Sequence, residues 1–288
     1  MAAKFGPGGN SDTFRAQGLK STLQAPGFVR ELGLDAYEYE AGNGITGSNE
    51  MFQAVGRKAA EHGIKMSFHA PYFISLSSVE PEKRANSVEY IRRSAEVSTL
   101  LNADIIVVHC GSCAKITREM AMSYARETLE NTAQMMSDYG FAPKVGIETM
   151  GKVNQLGTLE EVLELCKISG NFAPVVDFGH LNARDRGVLF TSDDFKRIFD
   201  KISETLGASY AENLHCHFSK IMYTEMGEKK HLTFDDEVYG PRFEPLAEAI
   251  VSLGVSPTII CESAGTQSDD SVIMKLQYEQ EKIRQGKA

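Results

Sequence analysis

Short apolar runs alternate with amphipathic stretches from one end of the chain to the other. The runs at 3–7, 36–40, 65–69, 104–109, 145–148, 174–177, 213–217 and 258–262 have the length and apolar continuity of parallel strands buried on both faces. Between them the period becomes helical. Met122, Ala125, Leu129, Ala133 and Met136 step by three or four along one helix face, and Gly140 is placed to stop that helix. Thr158-x-x-Glu161 reads as a capping box ahead of Val162 and Leu165. Ser192 is expected to cap a helix whose core face is Phe195, Ile198, Phe199 and Ile202. Pro245 suits the first turn of a later helix, where its missing N–H costs little.

Eight strands alternating with helices, at about 36 residues per unit, predict an α/β protein with a closed (β/α)8 TIM barrel. The rival is an open doubly wound sheet, which would want a phosphate-binding turn after its first strand. Gly6-Pro7-Gly8-Gly9 is Gly-rich but lacks the G-x-G-x-x-G spacing. No linker or break in composition divides the chain, so residues 1–288 are read as one domain.

Composition narrows the class. With 42% apolar, 24% charged and 9% aromatic residues the chain is globular rather than disordered. No apolar run reaches the roughly 18 residues a membrane helix needs. Met1 to Gly9 has no apolar core of a secretory signal. Five cysteines, an odd number without scaffold spacing, then favour a reducing cytoplasm. Cys110-x-x-Cys113 has no second pair to complete a zinc site. A net charge of −9 excludes a basic nucleic-acid coat. It leaves room for a nucleic-acid enzyme whose positive charge comes from metal ions. Nothing in the sequence points to an obligate protein partner.

The informative residues stand where the strands finish: Phe68-His69, Val108-His109, Ile147-Glu148, Val176-Asp177, Leu214-His215 and Cys261-Glu262. In a barrel the C-terminal strand ends form one rim, and active sites sit there. Imidazole nitrogens and carboxylate oxygens converging on that rim suit Zn, Mn or Fe. His180 follows Asp177 by three residues, and His231 lies in the long stretch after the seventh strand. His215 and His217 share a strand face by period two, and spacing alone does not choose between them. Glu38 and Glu40 also share a face at the rim, with no role assigned.

His69 followed by Pro71-Tyr72, then His109, Glu148, Asp177-x-x-His180, His215 with Ser219-Lys220, His231 and Glu262 form an ordered set over most of the chain. This set resembles the endonuclease IV family of the xylose-isomerase-like barrels. In that family a trinuclear zinc site cleaves the phosphodiester 5′ to an abasic site in DNA. The resemblance implies that His69, His109 and Glu148 hold one metal. Glu148 would bridge to a second, also held by Asp177, His215 and Glu262, and His180 and His231 would hold a third. It takes His215 as the ligand because it lies five residues before Lys220, with His217 behind it. Glu148 and Glu262 are the catalytic candidates, Glu262 as an acceptor of the proton of the attacking water. Tyr72, Lys220 and Lys229 are the candidates for substrate binding, and Tyr72 matches a position where the family inserts a ring at the lesion. Two or three zinc ions, or Mn or Fe, and abasic DNA are the implied cofactors and partner.

The chain also departs from the family pattern. Lys229-Lys230-His231 replaces an Asp two residues before the last His. Either Glu228 or Asp235 supplies the missing carboxylate, or the Lys229 ammonium takes over phosphate binding. Thr149-Met150-Gly151 follows Glu148, His217-Phe218 precedes Ser219-Lys220, and Glu40-Ala41-Gly42-Asn43-Gly44 carries no arginine, so the chain reads as a divergent branch. Arg184, Arg186, Lys230 and Arg242 are further basic residues near the rim. Two other functions compete. A sugar isomerase or epimerase would use Glu148, Asp177, His215 and Glu262 around one divalent ion, with carboxylates as acid and base. A non-catalytic, metal-dependent DNA- or nucleotide-binding protein is the third reading.

Overall fold

A computed structural model describes residues 2–287. Eight parallel strands follow one another around a barrel: β1 (Lys4–Pro7), β2 (Ala36–Glu40), β3 (Lys65–His69), β4 (Ala103–Val108), β5 (Lys144–Glu148), β6 (Phe172–Asp177), β7 (His215–Phe218) and β10 (Thr258–Cys261). Each expected strand is present, displaced by at most two residues at an end. The ladders run continuously from β2 through β7 and β10 to β1. Between β1 and β2 the closure is looser. It rests on Asp35 N–H donating to Phe5 O (2.8 Å), Gly9 N–H donating to Glu38 O (3.0 Å) and one bridge between Gly8 and Glu38.

That seam depends on Gly6. A Cβ there would lie 1.7 Å from the Ala36 carbonyl oxygen, which is backbone and cannot swing away. Gly6→Ala is therefore expected to destabilise the fold by about 3 kcal/mol, read as a shift in the denaturant midpoint. An unchanged midpoint would show that the seam opens without cost.

Helices fill the connections, and local sequence sets their ends. Gly140 closes helix Arg118–Tyr139 in a left-handed cap, as expected. Thr158 and Glu161 form the expected capping box at helix Leu159–Cys166. One cap moves by a residue. Helix Ser192–Leu206 is capped by Thr191, boxed with Asp194, because the Asp194 carboxylate reaches back to the Thr191 N–H. A hairpin of β8 (Ile221–Thr224) and β9 (Gly227–His231) rises from the rim after β7, where the sequence pattern gave only a long loop. Among the described residues no helix is long and apolar enough to cross a membrane.

Inside the barrel, side chains alternate in and out with period two. Ile105 and Val107 of β4 pack with Ala173 and Val175 of β6 as an apolar plug. Layers contributed by alternate strands are the expected filling of such a barrel. One step nearer the rim the filling changes to His69, Glu148, Asp177, His217 and Glu38, all buried. Apolar packing below thus fixes a polar layer above.

Candidate metal centre

Register decides which side chains share that polar layer. In the β6–β7 ladder Asp177 lies beside His217, whereas His215 lies beside Val175, one layer deeper. His217 Nδ1 is 3.0 Å from Glu148 Oε1 and 3.2 Å from Glu262 Oε1. Donor atoms of Glu148, Asp177, His217 and Glu262 all lie within 4.8 Å of one another. His215 instead turns its Nε2 to Glu38 Oε2 at 2.9 Å. The expectation that His215 stands with these carboxylates, and His217 behind, is therefore corrected. The strand begins at His215 and runs on to Phe218, so His217 stands in the rim layer.

The remaining imidazoles surround the same carboxylate. His69 donates from Nδ1 to the Ala70 carbonyl (2.9 Å), leaving Nε2 3.6 Å from Glu148 Oε2. His109 places Nε2 3.0 Å from the same oxygen. His180 donates from Nδ1 to the Thr149 carbonyl (3.0 Å), which leaves Nε2 free to act as a donor toward a cation, 3.4 Å from Glu228 Oε2. A ring fixed by a carbonyl on one nitrogen, with the other nitrogen bare, is how proteins orient imidazoles for metals. Asp177 also has two tasks. Its Oδ1 accepts the His180 N–H at 2.7 Å, capping helix Phe178–Arg184, while its buried Oδ2 has no hydrogen-bond partner.

A second group stands beside the first. Donor atoms of His180, Glu228 and His231 lie within 4.8 Å of one another. Glu228 comes from the hairpin, so of the alternatives left open by the sequence the structure selects Glu228 rather than Asp235. Lys229 is exposed. Ser219 Oγ holds His231 Nδ1 at 2.9 Å.

Electrostatics shows what this arrangement would accept. Burial disfavours charge on Glu148, but His217, His109 and His69 outweigh it and hold the carboxyl well below its ordinary range. Burial likewise opposes ionisation of Glu262, yet His217 holds it at about 2. Asp177 is pushed up to about 6 by burial against the pull of His180. Burial raises Glu40 to about 8, with Glu38 adding repulsion. His69 resists charge through burial, but Glu40 and Glu148 raise it to about 10. Without cations, protonated imidazoles are the counter-charges for these carboxylates. Buried Glu148 Oε2 and Asp177 Oδ2 remain without hydrogen-bond partners. Unsatisfied buried carboxylate oxygens are costly, and divalent cations would satisfy them while leaving imidazoles as neutral ligands. The residues present therefore fit metal ions. Their donor set of nitrogen and oxygen suits Zn, Mn or Fe without choosing among them.

Glu38, one of two rim glutamates to which the sequence assigns no role, has a clear one in the structure. It is fully buried and faces both histidines of β7, with Oε1 2.8 Å from His217 Nε2 in an ion-pair contact. It steers the His217 ring so that Nδ1 points at the rim. The signal was present in the sequence as two glutamates spaced by two on an otherwise apolar strand.

The other candidates divide clearly. Tyr72 is half exposed, stacks on the His109 ring at 5.4 Å and lines both cavities that flank the centre. One cavity, of ≈ 410 Å³, is walled by His69, His109, His180 and His231 with Glu148, Glu228, Glu262, Lys152 and Gln155. The other, of ≈ 470 Å³, is lined among others by Glu40, Asn43, Thr46, Glu262 and Gln267. Lys220, expected to bind substrate, instead donates to the carbonyls of Phe234 (2.7 Å) and Asp236 (2.5 Å). It secures the loop after the hairpin, so its charge is already engaged. Arg184 is buried and donates to the carbonyls of Met150, Lys152, Val153 and Gln155. Cys110 and Cys113 are buried and free, and each Sγ faces a backbone carbonyl.

Comparison with known proteins places these features. The sequence model of the xylose isomerase-like TIM barrel family matches residues 26–285. An uncharacterized protein of Methanocaldococcus jannaschii is 30% identical over 89% of this chain and 92% of its own length. A protein of Acholeplasma laidlawii named probable endonuclease 4 is 29% identical, over 59% of this chain and 58% of that one. The chain thus spans less than two thirds of that endonuclease relative. Among solved structures, a D-tagatose 3-epimerase-like protein superposes with a TM-score of 0.72 at 21% identity, covering 98% and 99% of the two chains. Endonuclease IV from Thermus thermophilus superposes with a TM-score of 0.69 at 18% identity, covering 96% and 99%. These two likenesses establish the barrel and nothing finer.

Proposed function

The chain belongs to the xylose isomerase-like TIM-barrel family, and from that premise we propose that it is a metal-dependent phosphodiesterase that nicks DNA 5′ to abasic sites. The observation that carries this reading is the second donor group. A one-ion sugar isomerase or epimerase is served by Glu148, Asp177, His217 and Glu262. His180, Glu228 and His231 form a further group beside them, and His69 and His109 crowd Glu148 from the other side. Several cations close together suit displacement at phosphorus, where charge develops on both entering and leaving oxygens. The sequence relatives named probable endonuclease 4 support the same chemistry, and the imidazoles that distinguish the two readings are all in the site.

In this reading Glu148 and His217 would hold ions together with Asp177 and Glu262, while His180, Glu228 and His231 would hold another. Those ions would supply Lewis-acid activation of water and neutralise charge on the phosphoryl oxygens. The chain's own groups do the rest. Glu262, with Oε1 3.2 Å from His217 Nδ1, is the group assigned to take up the proton of the attacking water. Tyr72, stacked on His109 and half exposed, offers its ring face to an unstacked base at the lesion. Glu38 keeps the His217 ring in place.

The test is direct. Purified protein loaded with Zn, Mn or Fe is incubated with a duplex bearing one abasic site. Nicking on the 5′ side, with two or more ions per chain, is expected. No nicking with any of the three metals, together with a single ion per chain, would replace this reading with the epimerase one. The similarity to the D-tagatose 3-epimerase-like protein makes that the second reading to test, with ketose epimerisation as its assay.

A further inference from the structure

We propose that Lys152 and Gln155, on the loop after β5, form a binding subsite for an oxyanion of the substrate, a phosphoryl group, beside the metal donors. The proposal rests on the phosphodiesterase reading but concerns different residues. Both side chains line the ≈ 410 Å³ cavity that contains His69, His109, Glu148, His180 and Glu228. Lys152 is exposed and makes no ion pair among the described residues. Among the described residues it is the only Lys or Arg in the lining of either flanking cavity. Lys220 and Arg184 are already committed to carbonyls, and Lys229, Lys230, Arg186 and Arg242 line neither space.

Gln155 adds an unspent polar group. Its Oε1 is buried with no hydrogen-bond partner. The two ends of a side-chain amide are interchangeable by a flip, so the same site can present an N–H to an anion. The loop that carries both residues is held from behind. Arg184 donates to four of its carbonyls, and Arg118 donates to those of Val153 and Gln155. A backbone bridge also joins Lys152 to Gly227 at the start of β9. Gly151 permits this docking, since a Cβ there would meet Glu228 Cβ at 2.7 Å and His180 Cδ2 at 3.0 Å. Two guanidinium groups and a hairpin thus fix the backbone, and only side chains remain to meet a ligand. Donors fixed in advance bind developing charge with little reorganisation.

The chemistry of the two cavities sets the direction. Among the described residues, the ≈ 470 Å³ cavity has no Lys or Arg in its lining and offers Glu40, Asn43, Thr46, Ser263 and Gln267, which suit hydroxyl groups. The Lys152 side offers an ammonium, a compact charge with three donors, well matched to a phosphoryl oxygen. An anionic group is therefore drawn to the Lys152 wall, leaving the neutral hydroxylated part of the substrate on the Glu40 side.

Inorganic phosphate is the probe, titrated calorimetrically into metal-loaded protein. Lys152→Met is expected to weaken phosphate binding about tenfold or more, on the scale of one charge-assisted hydrogen bond, with metal content unchanged. Lys152→Arg should recover most of that loss, and Gln155→Leu should give a smaller one. Lys58→Met, which removes a surface partner of Glu61, should leave binding unchanged. Equal affinity in wild type and Lys152→Met, or no phosphate binding by the loaded wild type, overturns the subsite. The expected phosphate series in a protein that nicks no abasic DNA would leave the subsite standing and remove the DNA reading.

Discussion

Glu148→Ala is expected to empty the main metal centre and to lower nicking by about a thousandfold or more, the scale on which loss of one electrostatic contributor to a transition state is felt. His69, His109 and His217 all turn a nitrogen to within 3.6 Å of this carboxylate. Its removal takes the shared oxygen away from every ion that could sit among them. His180, Glu228 and His231 do not need it to form a group, so mass spectrometry of the purified variant should still find about one ion per chain. Circular dichroism should show the barrel intact, because the apolar plug beneath the site is untouched. Full ion content in Glu148→Ala would mean that the cations sit elsewhere.

The second large effect separates two histidines two residues apart. His217→Ala is expected to weaken metal retention far more than the roughly 10–100-fold typical of a residue one step removed from the ion. His215→Ala is expected to fall within that range or below it, because His215 turns its Nε2 to Glu38 and away from the Glu148 group. Chelator competition on the two variants reads the difference. Equal losses, or a larger loss in His215→Ala, would return His215 to the ligand position given by the resemblance.

That pair also shows where sequence stops being informative. Buried parallel strands announce themselves as apolar runs, so all eight were legible, and with them the rim residues His69, His109, Glu148, Asp177 and Glu262. Period two leaves His215 and His217 on one face, and only pairing with β6 says which of them reaches the layer of Asp177. Glu38 was visible as a residue but not as a partner, because its role depends on β7 lying across the barrel from β2. The hairpin was missed for another reason. Its strands are short and mostly unburied, with one buried residue each, Ile221 and Gly227, too few to impose alternation. Glu228 and His231 are three apart, which strict alternation would place on opposite faces, yet both approach His180 or Glu262. Lys220 and Arg184 looked like rim cations by position. Their hydrogen bonds to loop carbonyls are tertiary facts that no spacing encodes.

Anomalous diffraction from crystals grown with zinc, measured on both sides of its absorption edge, tests the central claim most directly. One peak is expected among Glu148, Asp177, His217 and Glu262, and another among His180, Glu228 and His231. A zinc-soaked crystal with no peak at either place, or with zinc only at surface carboxylates, would contradict it.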